Sequence, residues 1–355
     1  MSDFDDFLDD VDRGRLGYNR SLTTGMPKLD GAIGGVQRAT YYLIGANTGM
    51  GKTAFVDAAF VLNPFNHFRK QNDDLPKLGF RVFYYSFEIS KKRKIAKWVC
   101  YLMLVKYGII IDIKEVLSRT STLSAEKYNK IKECRNFIED MMEFVHIYDR
   151  PCNPFGVYKN TETYMLANGK VQDMSKTVKG VELKFQAYVP NDPNEIVINV
   201  VDHISLFRPE TEYRTKKEII DRDSENAISL RNIYGVSRVS VSQFNRDMAD
   251  MDRRRFTDLS PQLEDFKNTG NSQEDSEVTM TLFNPLRYNI QEYGGMNLNR
   301  LGGRYRSLSV LKSRDGADML KLNLNFLGEA GHFREFPNPM MDDDYNKAKE
   351  YRPFT

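Results

Sequence analysis

The run Tyr41-Tyr42-Leu43-Ile44-Gly45-Ala46-Asn47-Thr48-Gly49-Met50-Gly51-Lys52-Thr53 constrains the fold more than any other stretch of this chain. It reads as an apolar strand, then a glycine-bearing loop ending in Gly-Lys-Thr. A helix follows from Ala54 to Leu62, which Asn63-Pro64 is expected to stop. This is the setting of a phosphate-binding loop. Backbone N–H groups of the loop and of the helix N-terminus turn toward phosphate oxygens, and the helix dipole adds positive potential. Ala46, Asn47, Thr48, Gly49, Met50, Gly51, Lys52 and Thr53 are therefore the candidate cradle. Lys52 is expected to reach the β- and γ-phosphates, and the Thr53 hydroxyl to hold Mg²⁺. The strict pattern fails at its first glycine, where Ala46 stands. A loop that merely happens to carry Gly-Lys-Thr is the blander reading, and the flanking strand and helix argue against it. A nucleoside triphosphate such as ATP is the expected ligand.

Composition narrows the rest. The 355 residues are enough for one large domain or two smaller ones, and 41% hydrophobic residues supply a substantial core. Formal net charge is only +2, so there is no global basic field to advertise nucleic acid. Such contacts must come from local clusters: Lys91-Lys92-Arg93-Lys94, Arg214 with Lys216-Lys217, and Arg253-Arg254-Arg255. Each of these reads first as a solvated face. Cys100, Cys134 and Cys152 are odd in number and widely spaced, which excludes a zinc pattern or a disulfide framework and suits a reducing cytoplasm. His67, His146, His203 and His332 do not cluster. The acidic start carries no signal peptide, and no stretch approaches the roughly 18 apolar residues of a membrane span.

Residues 1–20 read as an N-terminal arm or linker helix, and 21–336 as the main domain. Strands are expected at Phe80–Phe87, Phe144–Tyr148, Ile196–Val201, Ser237–Val241, Glu277–Phe283, Arg306–Lys312 and Leu320–Phe326. Helices are expected after Ser90 as a cap, with Ile95, Trp98, Val99 and Leu102 inward, at Ser124–Met142, and from Lys216 to Ile233. Turn signals crowd residues 151–194, an expected insertion whose hairpin would pair Thr161–Leu166 with Lys170–Met174 around Asn168-Gly169. Residues 337–355 read as a mobile acidic tail. Strands alternating with helices give an α/β fold with a mainly parallel twisted sheet flanked by helices.

Ligands of such sheets sit at the carboxyl ends of strands. There the chain offers Asp202 after six apolar, mostly β-branched residues, the Walker B layout for holding the metal shell with Thr53; its alternative is a capping aspartate. Glu88 closes the Tyr84-Tyr85-Ser86-Phe87 strand and is placed to polarise an attacking water. Gln243 ends the next strand with a neutral amide suited to a γ-phosphate.

The order of these pieces resembles the ATPase domain of the DnaB-type replicative helicases, of superfamily 4, on the RecA-like P-loop fold. Thr24-Gly25-Met26 with Leu29-Asp30 and Gly34-Gly35 looks like the family's opening. Ala46-x-x-x-Met50-Gly51-Lys52-Thr53 is similar to its P-loop, with alanine first. Ser86-Phe87-Glu88-Ile89, Val201-Asp202 and Ser242-Gln243-Phe244-Asn245-Arg246 look like its catalytic-base, Walker B and nucleotide-sensing motifs. Asp265-Phe266-Lys267-Asn268-Thr269-Gly270 resembles the loop that lines the family's central channel. That resemblance implies that Lys267, Asn268 and the Gly270 amide meet the phosphates of single-stranded DNA. Lys312-Ser313-Arg314-Asp315-Gly316 resembles the motif whose lysine and arginine reach the nucleotide of the neighbouring subunit. The implied protein is an ATP- and Mg²⁺-dependent DNA helicase working as a homo-oligomeric, hexameric ring, with a primase or loader as further partner. Its implied setting is the cytoplasm of a bacterial or phage-infected cell. The family's N-terminal domain has no counterpart among these residues, and His203 stands where the family has tyrosine. A RecA-like recombinase or recombination mediator, and a non-catalytic nucleotide-bound scaffold, stand as alternatives.

Overall fold

A computed structural model describes residues 3–72, 74–119, 122–178, 181–210, 215–244, 259–266 and 271–354. Its strands are β1 (Tyr41–Ala46), β2 (Gly79–Ser86), β3 (Val145–Tyr148), β4 (Gly169–Val178), β5 (Val181–Pro190), β6 (Glu195–Asp202), β7 (Ser237–Gln243), β8 (Val278–Phe283), β9 (Glu292–Tyr293), β10 (Met296–Asn297), β11 (Tyr305–Ser313), β12 (Leu320–Leu327) and β13 (His332–Glu335). Nine of them form one sheet in the order β13-β12-β11-β8-β1-β7-β6-β2-β3. From β8 to β3 the neighbours run parallel, whereas β11, β12 and β13 join antiparallel at one side. This is the α/β arrangement that the alternating strands and helices predict.

Both faces of the parallel part are covered, and β2 shows why. Its side chains alternate between layers. Val82 and Tyr84 join the core that holds the P-loop helix, with Phe55, Phe60 and Trp98. Phe83 and Tyr85 join a second core under the helices Pro154–Ala167 and Lys216–Tyr234. A capping box of Thr215 and Glu218 starts the latter helix, and Gly235, at φ +69°, ends it.

Four local expectations give way. The P-loop helix does not stop at Asn63-Pro64. It passes through a π turn, Ala58–Leu62, and continues as Asn63–Arg69. The widened turn is where Pro64, with no N–H to donate, is taken into the helix. Ser124–Met142 is two helices, Ala125–Glu133 and Arg135–Phe144, parted at Cys134. Asn168-Gly169 is not a hairpin turn. Asn153 caps a helix that Pro154 begins, so Thr161–Leu166 is helical and Asn168 is its C-cap. The hairpin instead pairs β4 with β5, and Tyr188 donates to the Met165 carbonyl at 2.8 Å. The acidic tail carries the helix Asp342–Glu350. Its three aspartates occupy the first turn, where the helix dipole favours them, and Ala348 is buried beside Leu298 and Tyr305. Ahead of the main domain, the arm is the helix Asp3–Arg15, with Phe4, Phe7, Leu8 and Val11 exposed.

The edge strand β13 carries a pH-sensitive contact. The His332 ring packs against Tyr101, and its Nδ1 lies 2.6 Å from the Tyr351 hydroxyl. Burial, with Arg334 nearby, lowers its pKa from 6.5 to about 4. Between these values the unfolded chain binds more protons than the folded one. Stability is therefore complete above pH 6.5 and falls as pH drops toward 4. The contribution is of order 1–2 kcal/mol after allowance for partial solvent access. His332→Gln should flatten that decline in urea denaturation followed across this pH range. An unchanged decline would count against the buried-histidine origin.

Candidate nucleotide site

The loop between β1 and its helix is built on two glycines that only a left-handed backbone fits, Gly49 at φ +75° and Gly51 at φ +100°. Space reinforces geometry at Gly49, where a Cβ would sit 2.7 Å from the Arg287 guanidinium. The loop's carbonyls face inward to cations. Arg287 donates to Thr48 O at 2.9 Å, and the buried Arg306 to Met50 O at 2.8 Å. Asn47 donates to the Tyr288 hydroxyl at 2.8 Å. Lys52 folds back on its own loop, donating to Ala46 O at 2.7 Å and Asn47 O at 3.1 Å. Burial pushes its pKa down to about 8, against the opposing pull of Asp202 and Glu88.

Register brings the other strand ends to this loop. Ala46 pairs with Gln243 across β1 and β7, and Ser86 with Asp202 across β2 and β6. Gln243 donates its amide to Thr48 Oγ1 at 2.7 Å. The Thr53 hydroxyl donates to Asp202 Oδ2 at 2.8 Å. The Asp202 carbonyl accepts the Phe87 N–H, which fixes where the chain leaves β2, and Glu88 stands exposed one residue on. The donor set of Thr53 and Asp202, a hydroxyl and a buried carboxylate in contact, fits a hard divalent cation such as Mg²⁺. Among the described residues no cluster of His, Cys, Asp and Glu offers another metal site.

Lys312 and Arg314 lie elsewhere. They sit at the end of β11, opposite the start of β8, so they share the amino ends of the parallel strands with Tyr41 and Glu277. Lys312 donates to the carbonyls of Gln273 at 3.0 Å and Glu274 at 2.8 Å. Arg314, half exposed, pairs with Glu277 at 3.3 Å. The length of β1, about 20 Å, separates them from their own phosphate loop. Lys267, Asn268 and Gly270 lie outside the described residues.

The sequence reading missed Arg287, Tyr288 and Arg306, which brace the loop from more than two hundred residues away and carry no local signal. It also read Lys94 as part of a solvated basic face. Lys94 is instead fully buried against Asp57 and Tyr84, directly behind Asp202. The lone acid Asp57 in the apolar run Ala54–Leu62 was the available hint.

The family model described as "DnaB-like helicase C terminal domain" matches residues 21–151 and 157–335, a stretch that runs through the hairpin. The "Replicative DNA helicase DnaB" of Rickettsia typhi is 19% identical over 271 residues, 75% of this chain and 46% of that protein. The protein of the same name from Rickettsia prowazekii is 18% identical over the same shares. The chain thus spans about half the length of the curated relatives it matches. Among solved structures, the ATPase domain of a phage helicase superposes with a TM-score of 0.70 at 18% identity, covering 95% of this chain and 100% of that one. "The Structure Of A DnaB-Like Replicative Helicase And Its Interactions With Primase" superposes with a TM-score of 0.65 at 18% identity, covering 88% and 63%. At such identities the structures speak for the fold, a RecA-like α/β ATPase core.

Proposed function

Because the chain belongs to the family of DnaB-like helicase C-terminal domains, we propose that it hydrolyses ATP with Mg²⁺ and translocates on single-stranded DNA as a hexameric ring during replication. One observation carries this reading: the phosphate loop with Glu88, Asp202 and Gln243 occupies one end of the sheet, and Lys312 and Arg314 the other. A complete site then takes its cations from a second copy. In this reading the backbone amides of residues 46–53 and the Lys52 ammonium hold the phosphates. Thr53 and Asp202 hold Mg²⁺, which when bound neutralises phosphate charge. Glu88 takes a proton from the attacking water. Gln243 turns from Thr48 to the γ-phosphate, and the change passes through Phe244 into the following loops. Lys312 and Arg314 stabilise charge on the neighbour's nucleotide, and Lys267, Asn268 and the Gly270 amide hold DNA phosphates. A primase or loader protein belongs to the same reading as a further partner, and the bacterial or phage-infected cytoplasm as the setting. Among the described residues no helix is long and apolar enough to cross a membrane.

The test is ATP hydrolysis by size-separated fractions with and without single-stranded DNA. Turnover stimulated by DNA and confined to the oligomer is expected. Tight nucleotide binding with no turnover in any fraction would favour a scaffold, and filaments in electron micrographs a recombinase. Lys267→Ala should weaken DNA binding and lower the salt slope of affinity by about one, leaving DNA-free hydrolysis unchanged. Unaltered DNA affinity would remove that loop from the DNA site.

A further inference from the structure

Behind the Thr53–Asp202 pair lies a buried charge cluster that the mechanism above does not use. Lys94 has no solvent exposure, and Asp57 and Asp202 are 4% and 2% exposed. The Lys94 ammonium donates to the Tyr84 hydroxyl at 2.7 Å and to Asp57 Oδ1 at 3.1 Å, and lies 4.0 Å from the Tyr84 ring centroid. An ammonium has three protons. Two are engaged in these bonds, and the third has Asp202 Oδ2 as a neighbour, 3.9 Å away. That oxygen is the one that accepts from Thr53. The three elements meeting here are the P-loop helix, which carries Asp57 and Thr53, the helix Lys91–Tyr107, which carries Lys94, and β6, which ends in Asp202. The Tyr84 phenol is held well above its usual pKa, first by burial and then by Asp57 and Asp202, so it keeps its proton for a carboxylate.

We propose that Lys94 is a positioning residue for the metal site: a tethered cation that holds Asp202 turned toward Thr53, ready to receive Mg²⁺. This rests on the reading of Thr53 and Asp202 as the metal-side pair. Two buried carboxylates facing one cavity repel each other and need compensation in place. Lys94 supplies it from the side away from the phosphate loop, so the front of Asp202 stays open. A purely structural role would be different: Lys94 would then serve only to neutralise Asp57, and removing the two together would leave Asp202 undisturbed.

The test compares wild type, Lys94→Met, and the double variant Asp57→Leu with Lys94→Met, which exchanges the pair for apolar side chains and keeps the fold accessible if the single variant does not fold. The readout is affinity for a hydrolysis-resistant methylanthraniloyl nucleoside triphosphate analogue, measured with excess EDTA and with Mg²⁺. Both variants should bind as wild type does in EDTA and lose about tenfold of the gain that Mg²⁺ confers. A double variant that keeps the full gain would overturn the positioning role and leave Lys94 as the partner of Asp57 alone. A wild-type protein that binds the analogue equally well with and without Mg²⁺ would overturn the metal assignment, and this inference with it. Loss of binding in EDTA as well would make Lys94 a determinant of the loop's shape, which also overturns the proposal.

Discussion

Lys52→Ala should lose at least about a hundredfold in ATP hydrolysis, the scale expected when a preorganised donor to developing phosphate charge is deleted. The fold should survive the change. Without nucleotide the Lys52 ammonium bonds to Ala46 O and Asn47 O of its own loop. The glycine conformations and the contacts from Arg287 and Arg306 hold that loop independently of it. Phosphate release and thermal melting measured on the same sample would separate the two effects. Wild-type turnover by this variant would refute the phosphate-loop assignment.

Arg314→Ala should reduce turnover about a thousandfold or more while nucleotide affinity changes by less than about threefold, because a trans cation acts on the transition state. In the single chain Arg314 touches Glu277 and has no route to its own loop. Loss of affinity in step with turnover would argue that it acts in cis. Mixing gives a sharper result. Lys52→Ala subunits keep an intact Arg314, and Arg314→Ala subunits keep an intact loop. An equal mixture of the two inactive variants should regain up to about a quarter of wild-type turnover, the fraction of interfaces that combine the two intact halves. Mixtures that stay inactive would exclude exchange of cations between subunits.

Much of this was readable from residues in line. The strands ending at Ala46, Ser86, Asp202 and Gln243 announce themselves because each is a compact apolar run closed by a polar residue, and a parallel sheet aligns such ends. What failed was of two kinds. Local signals were ambiguous wherever the same dipeptide serves two structures. Asn168-Gly169 ends a helix as readily as it turns a hairpin, and Asn63-Pro64 joins a helix that has widened to admit it. Charge patterns misled wherever burial depends on a distant partner. Lys94 looks solvated among Lys91, Lys92 and Arg93 until Asp57 is brought beside it by the packing of two helices. Arg306 and Arg287 reach the phosphate loop only because β11 and the segment after β8 fold back over it, a long-range contact with no local periodicity.

The division of the site between the two ends of the sheet has a consequence for counting. Each copy gives at one end and receives at the other, so its contacts are head to tail and the two surfaces differ. A closed circle of n such subunits has n complete sites. A circle broken at one seam has n − 1, with one loop lacking its cations and one pair of cations lacking a loop. Admitting a DNA strand through an open seam would therefore silence one site in the act, and closing the seam would restore it.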